Sequence, residues 1–123
     1  MPIAETQTQV AIAREYAEAL VSVVRRTLTR FPAEAGLTLT QPLTQYAEIL
    51  VERLGVGLPD AVDSCDQLAL SEALHALQHL GCYLERATQV KTLSPTRHAL
   101  ILELHQVTVR EVTLLLRSRV SGR

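Results

Sequence analysis

The stretch SPTRHALILELHQVTVREVTLLLRSRV, residues 94–120, decides the fold. It opens on Ser94-Pro95, a serine able to cap a helix and a proline whose fixed φ suits the first helical position. Neither glycine nor a second proline follows before Gly122, so one helix is expected to run to about Val120. At about 100° per residue, Glu103, Gln106, Arg110 and Arg117 fall on one narrow arc. Leucine, isoleucine and valine side chains from Leu100 to Leu116 fill most of the remaining circumference. A helix in a solitary four-helix bundle needs an apolar stripe of little more than ~100°. The surplus predicts a second covering surface on another copy of the chain, with Leu100, Leu104, Val107 and Leu114 as candidate interface residues.

Upstream of this helix the same periodicity recurs three times. Residues 5–30 carry Val10, Ala13, Ala17, Leu20, Val24 and Thr27 at three- and four-residue steps, and Phe31-Pro32 ends the pattern. After a short connection over 32–37, a second helix is predicted from Thr38 or Thr40, either able to cap it, with Pro42 in its first turn. Its stripe is Leu43, Tyr46, Ala47, Leu50, Val51 and Leu54, and Gly55-Val56-Gly57 closes it. The third helix is expected to open at Leu58-Pro59-Asp60 and run to about Thr88, with Asp60 and Asp63 at the positive end of its dipole. Val62, Cys65, Ala69, Ala73, Ala76, Leu80, Tyr83 and Ala87 are its seam. Short connections make consecutive helices antiparallel neighbours. The expected fold is all-α: one domain, 1–123, forming an antiparallel up-and-down four-helix bundle that is oligomeric.

Composition agrees. Of 123 residues, 47% are apolar and only 3% aromatic, with no tryptophan. Aliphatic cores with few aromatics and few glycines suit helix-on-helix packing better than a sandwich or barrel. The N-terminal residues lack the basic and apolar regions of a signal peptide, and no apolar run approaches the ~20 residues of a membrane helix. Cys65 and Cys82 are placed on one helix about 25 Å apart, out of disulfide reach. A cytoplasmic protein with free thiols is expected, without a membrane partner.

The net charge of −1 hides an uneven distribution. An up-and-down bundle gathers Arg25, Arg26, Arg30, Arg86, Lys91 and Arg97 at one end, partly offset by Glu34 and Glu85. The other end receives Glu48, Glu52, Asp60, Asp63 and Asp66, with Arg53, Arg117 and Arg119. Copies arranged around an axis would turn the first end into a rim of arginines attractive to phosphates. Part of the pattern also follows from helix dipoles alone, which favour cations at C-termini and acids at N-termini.

Catalytic signals are absent. His75, His79 and Cys82 share a helix face at i, i+4 and i+7, a spacing that can present metal ligands, but no HExxH or ExxH motif or second-helix partner accompanies them. His98 and His105 lie on the broadly apolar fourth helix and read as packed or interfacial. No acid/base pair, nucleophile motif or glycine-rich phosphate loop is present. The expectation is a non-enzyme with no metal and no cofactor.

The order of helix-boundary signals carries a resemblance. Phe-Pro-Ala-Glu-Ala-Gly-Leu-Thr-Leu-Thr-Gln-Pro-Leu over 31–43, and Leu-Ser-Pro over 93–95 after the 80–87 segment, resemble a particular four-helix-bundle family. That family includes the accessory variability determinant of diversity-generating retroelements and the proteins encoded in ribosomal RNA intervening sequences. The resemblance spans about residues 21–116. It implies a pentameric barrel of bundles that binds a reverse transcriptase and template RNA or DNA through a basic surface. It places structural roles on Phe31, Pro32, Thr38, Gln41, Ser94 and Pro95, and nucleic-acid roles on Arg25, Arg26, Arg30, Arg86, Lys91 and Arg97. The chain departs from the family in its net negative charge, in a longer third helix and in Pro42. The alternative is a bundle of the same family that binds protein partners only.

Overall fold

The computed structural model describes residues 2–56 and 66–121, with side-chain environments for 9–56 and 66–120. These residues are all-helical and contain four long helices and no strand. They are α1 (Pro2–Leu28), α2 (Gln41–Leu54), α3 (Gln67–Gln89) and α4 (Pro95–Ser121). α1 packs against α2 and α4, and α3 packs against the same two helices, so the four close around one apolar core. None of them is long and apolar enough to cross a membrane.

The seam expected on α1 is buried throughout: Val10, Ala13, Ala17, Leu20, Val24 and Thr27 are all nearly inaccessible. Alanines at two of those steps let a neighbouring helix come close. After Leu28 the chain tightens, with the Arg30 and Phe31 N–H groups donating to the carbonyls of Thr27 and Leu28. Pro32, in extended backbone, then starts a 3-10 turn over Ala33–Ala35 that passes into a π-helical turn over Gly36–Thr40. The second helix begins directly after Thr40, one of the two expected positions, and only the expected side-chain cap is not made. Thr40 itself has helical φ and ψ and makes no side-chain cap, because the backbone enters α2 already coiled. Pro42 is accommodated in the first turn.

α2 ends on Gly55, whose φ of 68° is the left-handed conformation that glycine adopts without a Cβ clash. The N–H of Gly55 donates to Glu52 O at 3.2 Å and that of Val56 to Val51 O at 3.0 Å. Those paired bonds, with Val51 and Val56 both packed against the core, are the Schellman arrangement.

α3 begins later than the Leu-Pro-Asp signal suggests. Asp66 has extended backbone and its carboxylate accepts the Ala69 N–H at 2.8 Å, so Asp66 is the N-cap and Gln67 the first helical residue. A side-chain cap of this kind satisfies an otherwise orphaned N–H. Asp60, Val62, Asp63 and Cys65 lie outside the described residues. Besides Ala73, Ala76, Leu80 and Ala87, α3 buries Leu70, Leu77 and Leu84. A second stripe is needed because α3 is flanked by both α2 and α4.

α4 opens as read, with the Arg97 N–H donating to Ser94 Oγ at 3.2 Å and the His98 N–H to Ser94 O at 2.9 Å. Its buried residues are Ile101, Thr108, Val112 and Leu115. The bundle shelters more of this helix than its pattern implies. Leu102, Leu104, Val107, Val109 and Leu116 are half-buried, because α1 and α3 cover both shoulders of the core stripe. What stays in the open is Leu100, 61% exposed, Leu114, 48% exposed, and Val120. Leu100, Val107 and Leu114 stand at seven-residue intervals and therefore share one line along the helix.

Candidate nucleic-acid interface

The last turns of α1 and the first turn of α4 meet at one end of the helices. Arg26, in the last turn of α1, and Arg30, in the turn just beyond it, border the same hollow. Arg97, one turn into α4, faces them. With Val23, Leu100 and Leu104 these three arginines line a hollow of about 410 Å³ between α1 and α4. Arg25 points the other way round α1. It joins Arg26, Glu18, Val21, Ser22, Val51 and Val56 along a hollow of about 520 Å³ on the α2 side. A third hollow of about 200 Å³ is lined by Arg30 and Arg97 together with Thr27, Phe31, Thr92, Leu93 and Ser94. Shared arginines make the three hollows neighbours.

Charge is left available here. Ion pairs elsewhere join Arg53 to Glu52 and Glu72, at 3.1 and 3.3 Å, and Arg110 to Glu111 at 3.8 Å. Among the described residues Arg25, Arg26, Arg30 and Arg97 pair with no carboxylate. Unpaired guanidiniums at a partly apolar surface are suited to bidentate recognition of phosphate or carboxylate.

Two members of the predicted basic group stand apart. Arg86 lies over the Tyr83 ring, 5.3 Å from its centroid, on α3. Lys91 occupies the turn after α3 with a φ of 65°. Neither lines the hollows holding Arg26, Arg30 and Arg97. The sequence places all six at one end; the helix faces separate them.

Arg86 instead terminates a ladder of rings that sequence reading did not find. Tyr46 of α2 stacks on His79 of α3 with centroids 4.5 Å apart and planes 8° from parallel. Tyr46 also stacks on Tyr83 at 6.0 Å, and His79 meets His75 at 4.5 Å. The His75 and His79 Nε2 atoms are 2.8 Å apart, so one donates and the other accepts. His75, His79 and Tyr83 follow one another at four-residue steps, a signal of a shared face; grouping the histidines with Cys82 missed it. Cys82 is a free, exposed thiol. Among the described residues no three His, Cys, Asp or Glu side chains are grouped as a metal site requires.

His105 has a packing role. Its Nε2 lies 2.6 Å from the Leu77 carbonyl on α3; a carbonyl only accepts, so Nε2 carries the proton. The ring sits in a notch left by Gly81, where an added Cβ would come within 3.1 Å of it. Thr38 and Gln41 are exposed at the start of α2.

No protein-family model, curated protein or solved structure matches this chain.

Proposed function

We propose that this protein is a non-enzymatic assembly and adaptor protein of the retroelement-accessory type. It is an antiparallel up-and-down bundle whose copies associate through the outer line of α4 and present arginines to nucleic acid. The observation that carries the reading is the trio Arg26, Arg30 and Arg97, without carboxylate partners, around a groove floored by Leu100 and Leu104. The antiparallel course is supported by two contacts between opposite helix parts. Arg14 Nε donates to Leu54 O at 2.6 Å, and the end of α1 lines a hollow with the start of α4. Assembly is supported by Leu100 and Leu114, exposed in line with Val107. An adaptor rather than an enzyme is supported by two of the four histidines being engaged in packing, His105 on Leu77 O and His79 on Tyr46.

The pentamer, the reverse-transcriptase partner, the template RNA or DNA and the cytoplasmic setting come from the family resemblance and the sequence. Arg25 extends the basic surface on the α2 side of α1, and Arg86 and Lys91 lie outside it. Because Leu100 and Leu104 belong both to the groove and to the interface, nucleic acid would run along the junction between copies.

The test is RNA retention as a function of salt. Single-stranded RNA should bind with a log–log salt slope of about −0.7 per phosphate neutralised. The triple reversal Arg26→Glu, Arg30→Glu, Arg97→Glu should abolish retention, and unchanged binding by that variant would remove the nucleic-acid role. Sedimentation of the intact protein should give a multiple of the 13.6 kDa chain, reduced towards one copy by Leu100→Ser with Leu114→Ser. A second reading, a bundle that binds only proteins, is favoured by the net charge of −1 and by the apolar floor of the groove. Oligomers that retain no RNA even at low salt would select it.

A further inference from the structure

Midway along α3 two imidazoles meet nitrogen to nitrogen. His75 and His79 stand four residues apart on the uninterrupted helix Gln67–Gln89, and their Nε2 atoms are 2.8 Å apart. A four-residue step sets two side chains one above the other, and side chains lean toward the helix N-terminus, so the later ring reaches back to the earlier one. His79 is half-buried, and its stack on Tyr46 of α2, with planes 8° from parallel, fixes its orientation. His75 is exposed, with its ring tilted 45° from that of His79. One ring is held by a second helix; the other stands open to water.

A hydrogen bond between groups that water can reach contributes little, because water offers each the same bond. A metal ion displaces it easily. Neutral imidazole is a common metal ligand, and two histidines at i and i+4 on one helix face are a recurrent chelating pair. Their separation selects the ion. A metal about 2.0 Å from each nitrogen would see atoms 2.8 Å apart at about 90°, the cis angle of a square-planar or tetragonal ion. A tetrahedral ion such as zinc asks for about 3.3 Å between them. Glu72, one turn before His75, is engaged by Arg53 Nε at 3.3 Å. No third His, Cys, Asp or Glu joins the pair among the described residues. A closed structural site is therefore not available, whereas an open chelate needs only these two ligands, with water in the other positions.

We propose that His75 and His79 bind one divalent copper ion through their two Nε2 atoms. With both rings neutral, the proton between those atoms moves to Nδ1 of the ring that carries it, and none is released. Tyr46 is the positioning residue: it touches the back of the His79 ring and keeps Nε2 aimed along α3 toward His75. The site lies apart from the arginines of the α1–α4 groove and does not depend on the nucleic-acid reading.

The test uses the untagged full chain carrying Cys65→Ser and Cys82→Ser, so that no thiol reduces or captures the metal. Copper(II) should bind at one equivalent, with the electron paramagnetic resonance spectrum of a tetragonal ion bearing two nitrogen ligands. His75→Ala and His79→Ala should each weaken binding about a hundredfold or more, since the second imidazole then no longer binds intramolecularly. Tyr46→Leu keeps both ligands and should weaken binding about tenfold, the loss expected when an outer partner stops orienting a ligand; circular dichroism checks that the helices persist. His98→Gln, on α4, should change nothing. Equimolar copper should raise the melting temperature of the parent and not that of His75→Ala. A two-nitrogen spectrum that survives the double variant His75→Ala, His79→Ala places the metal elsewhere and overturns the site. So does a parent chain that binds copper no tighter than His75→Ala. Zinc bound as tightly as copper overturns the argument from the angle.

Discussion

Replacing Lys91 by glycine should leave the protein more stable than replacing it by alanine, although both changes remove a charged side chain from the end of a helix. Lys91 has a φ of 65°, in the left-handed region. It is held there by the bonds that close α3: Lys91 N–H to Thr88 O at 3.1 Å and Thr92 N–H to Ala87 O at 2.9 Å. This is the same closure that ends α2, where the left-handed position is filled by Gly55. A residue with a Cβ pays about 1–2 kcal/mol for that conformation. Glycine removes this strain but adds about 0.5–1 kcal/mol of chain entropy in the unfolded state. The net gain is about 1 kcal/mol. Loss of the cation at the helix C-terminus subtracts about 0.3–1 kcal/mol, so the informative comparison is Lys91→Gly against Lys91→Ala. Both lose the charge, and only glycine loses the Cβ. In urea the glycine variant should have a midpoint about 0.3–1 M above the alanine variant with the same slope. Its melting temperature should be about 3–5 °C higher. Both must be measured at one protein concentration, since association would raise apparent stability. A glycine variant no more stable than the alanine variant would refute the strain argument.

Three further substitutions test the packing. Gly81→Ala should destabilise by about 1–3 kcal/mol in thermal unfolding, because the clash with His105 and the loss of its bond to Leu77 O outweigh the ~1 kcal/mol that alanine adds to a helix. A stabilised variant would show that the ring moves aside freely. Asp66→Ala should cost about 1 kcal/mol in urea unfolding by orphaning the Ala69 N–H, and Asp66→Asn should recover most of it. Thr27→Val should gain about 1 kcal/mol in urea unfolding, because it removes a hydroxyl buried without a partner among the described residues and keeps the side-chain shape.

Local chemistry made much of the fold legible. The α1 seam from Val10 to Thr27 is the buried set because three- and four-residue spacing fixes one face, and one face is what α1 buries. Ser94-Pro95 locates α4 because capping and fixed φ act within one turn. What the sequence hid is what neighbours decide. Leu70, Leu77 and Leu84 were not on the expected seam because the covering of α3 from two sides is a property of the bundle. Thr40 looks like a cap, but a helical turn precedes it and supplies the geometry a cap would otherwise start. At the candidate site, proximity along the chain indicated Arg26 and Arg30, and the α1–α4 contact adds Arg97. Arg86 was misplaced because its partner, the Tyr83 ring, belongs to a cross-helix stack no single helix encodes. The missing bond of Thr27 is equally invisible to periodicity, which marks that position only as inward.

The seating of His105 against Gly81 acts as a detent between two long rods. Apolar stripes tolerate sliding, since one leucine resembles the next, but an imidazole hooked on the Leu77 carbonyl fits only where the notch is. A shift of one helical turn, about 5.4 Å, would press the ring against a residue with a Cβ. The axial index of α4 is thereby set, and with it the height at which Leu100 and Leu114 stand on the outside of the molecule. Anything that docks along that flank meets a ruler whose marks cannot drift.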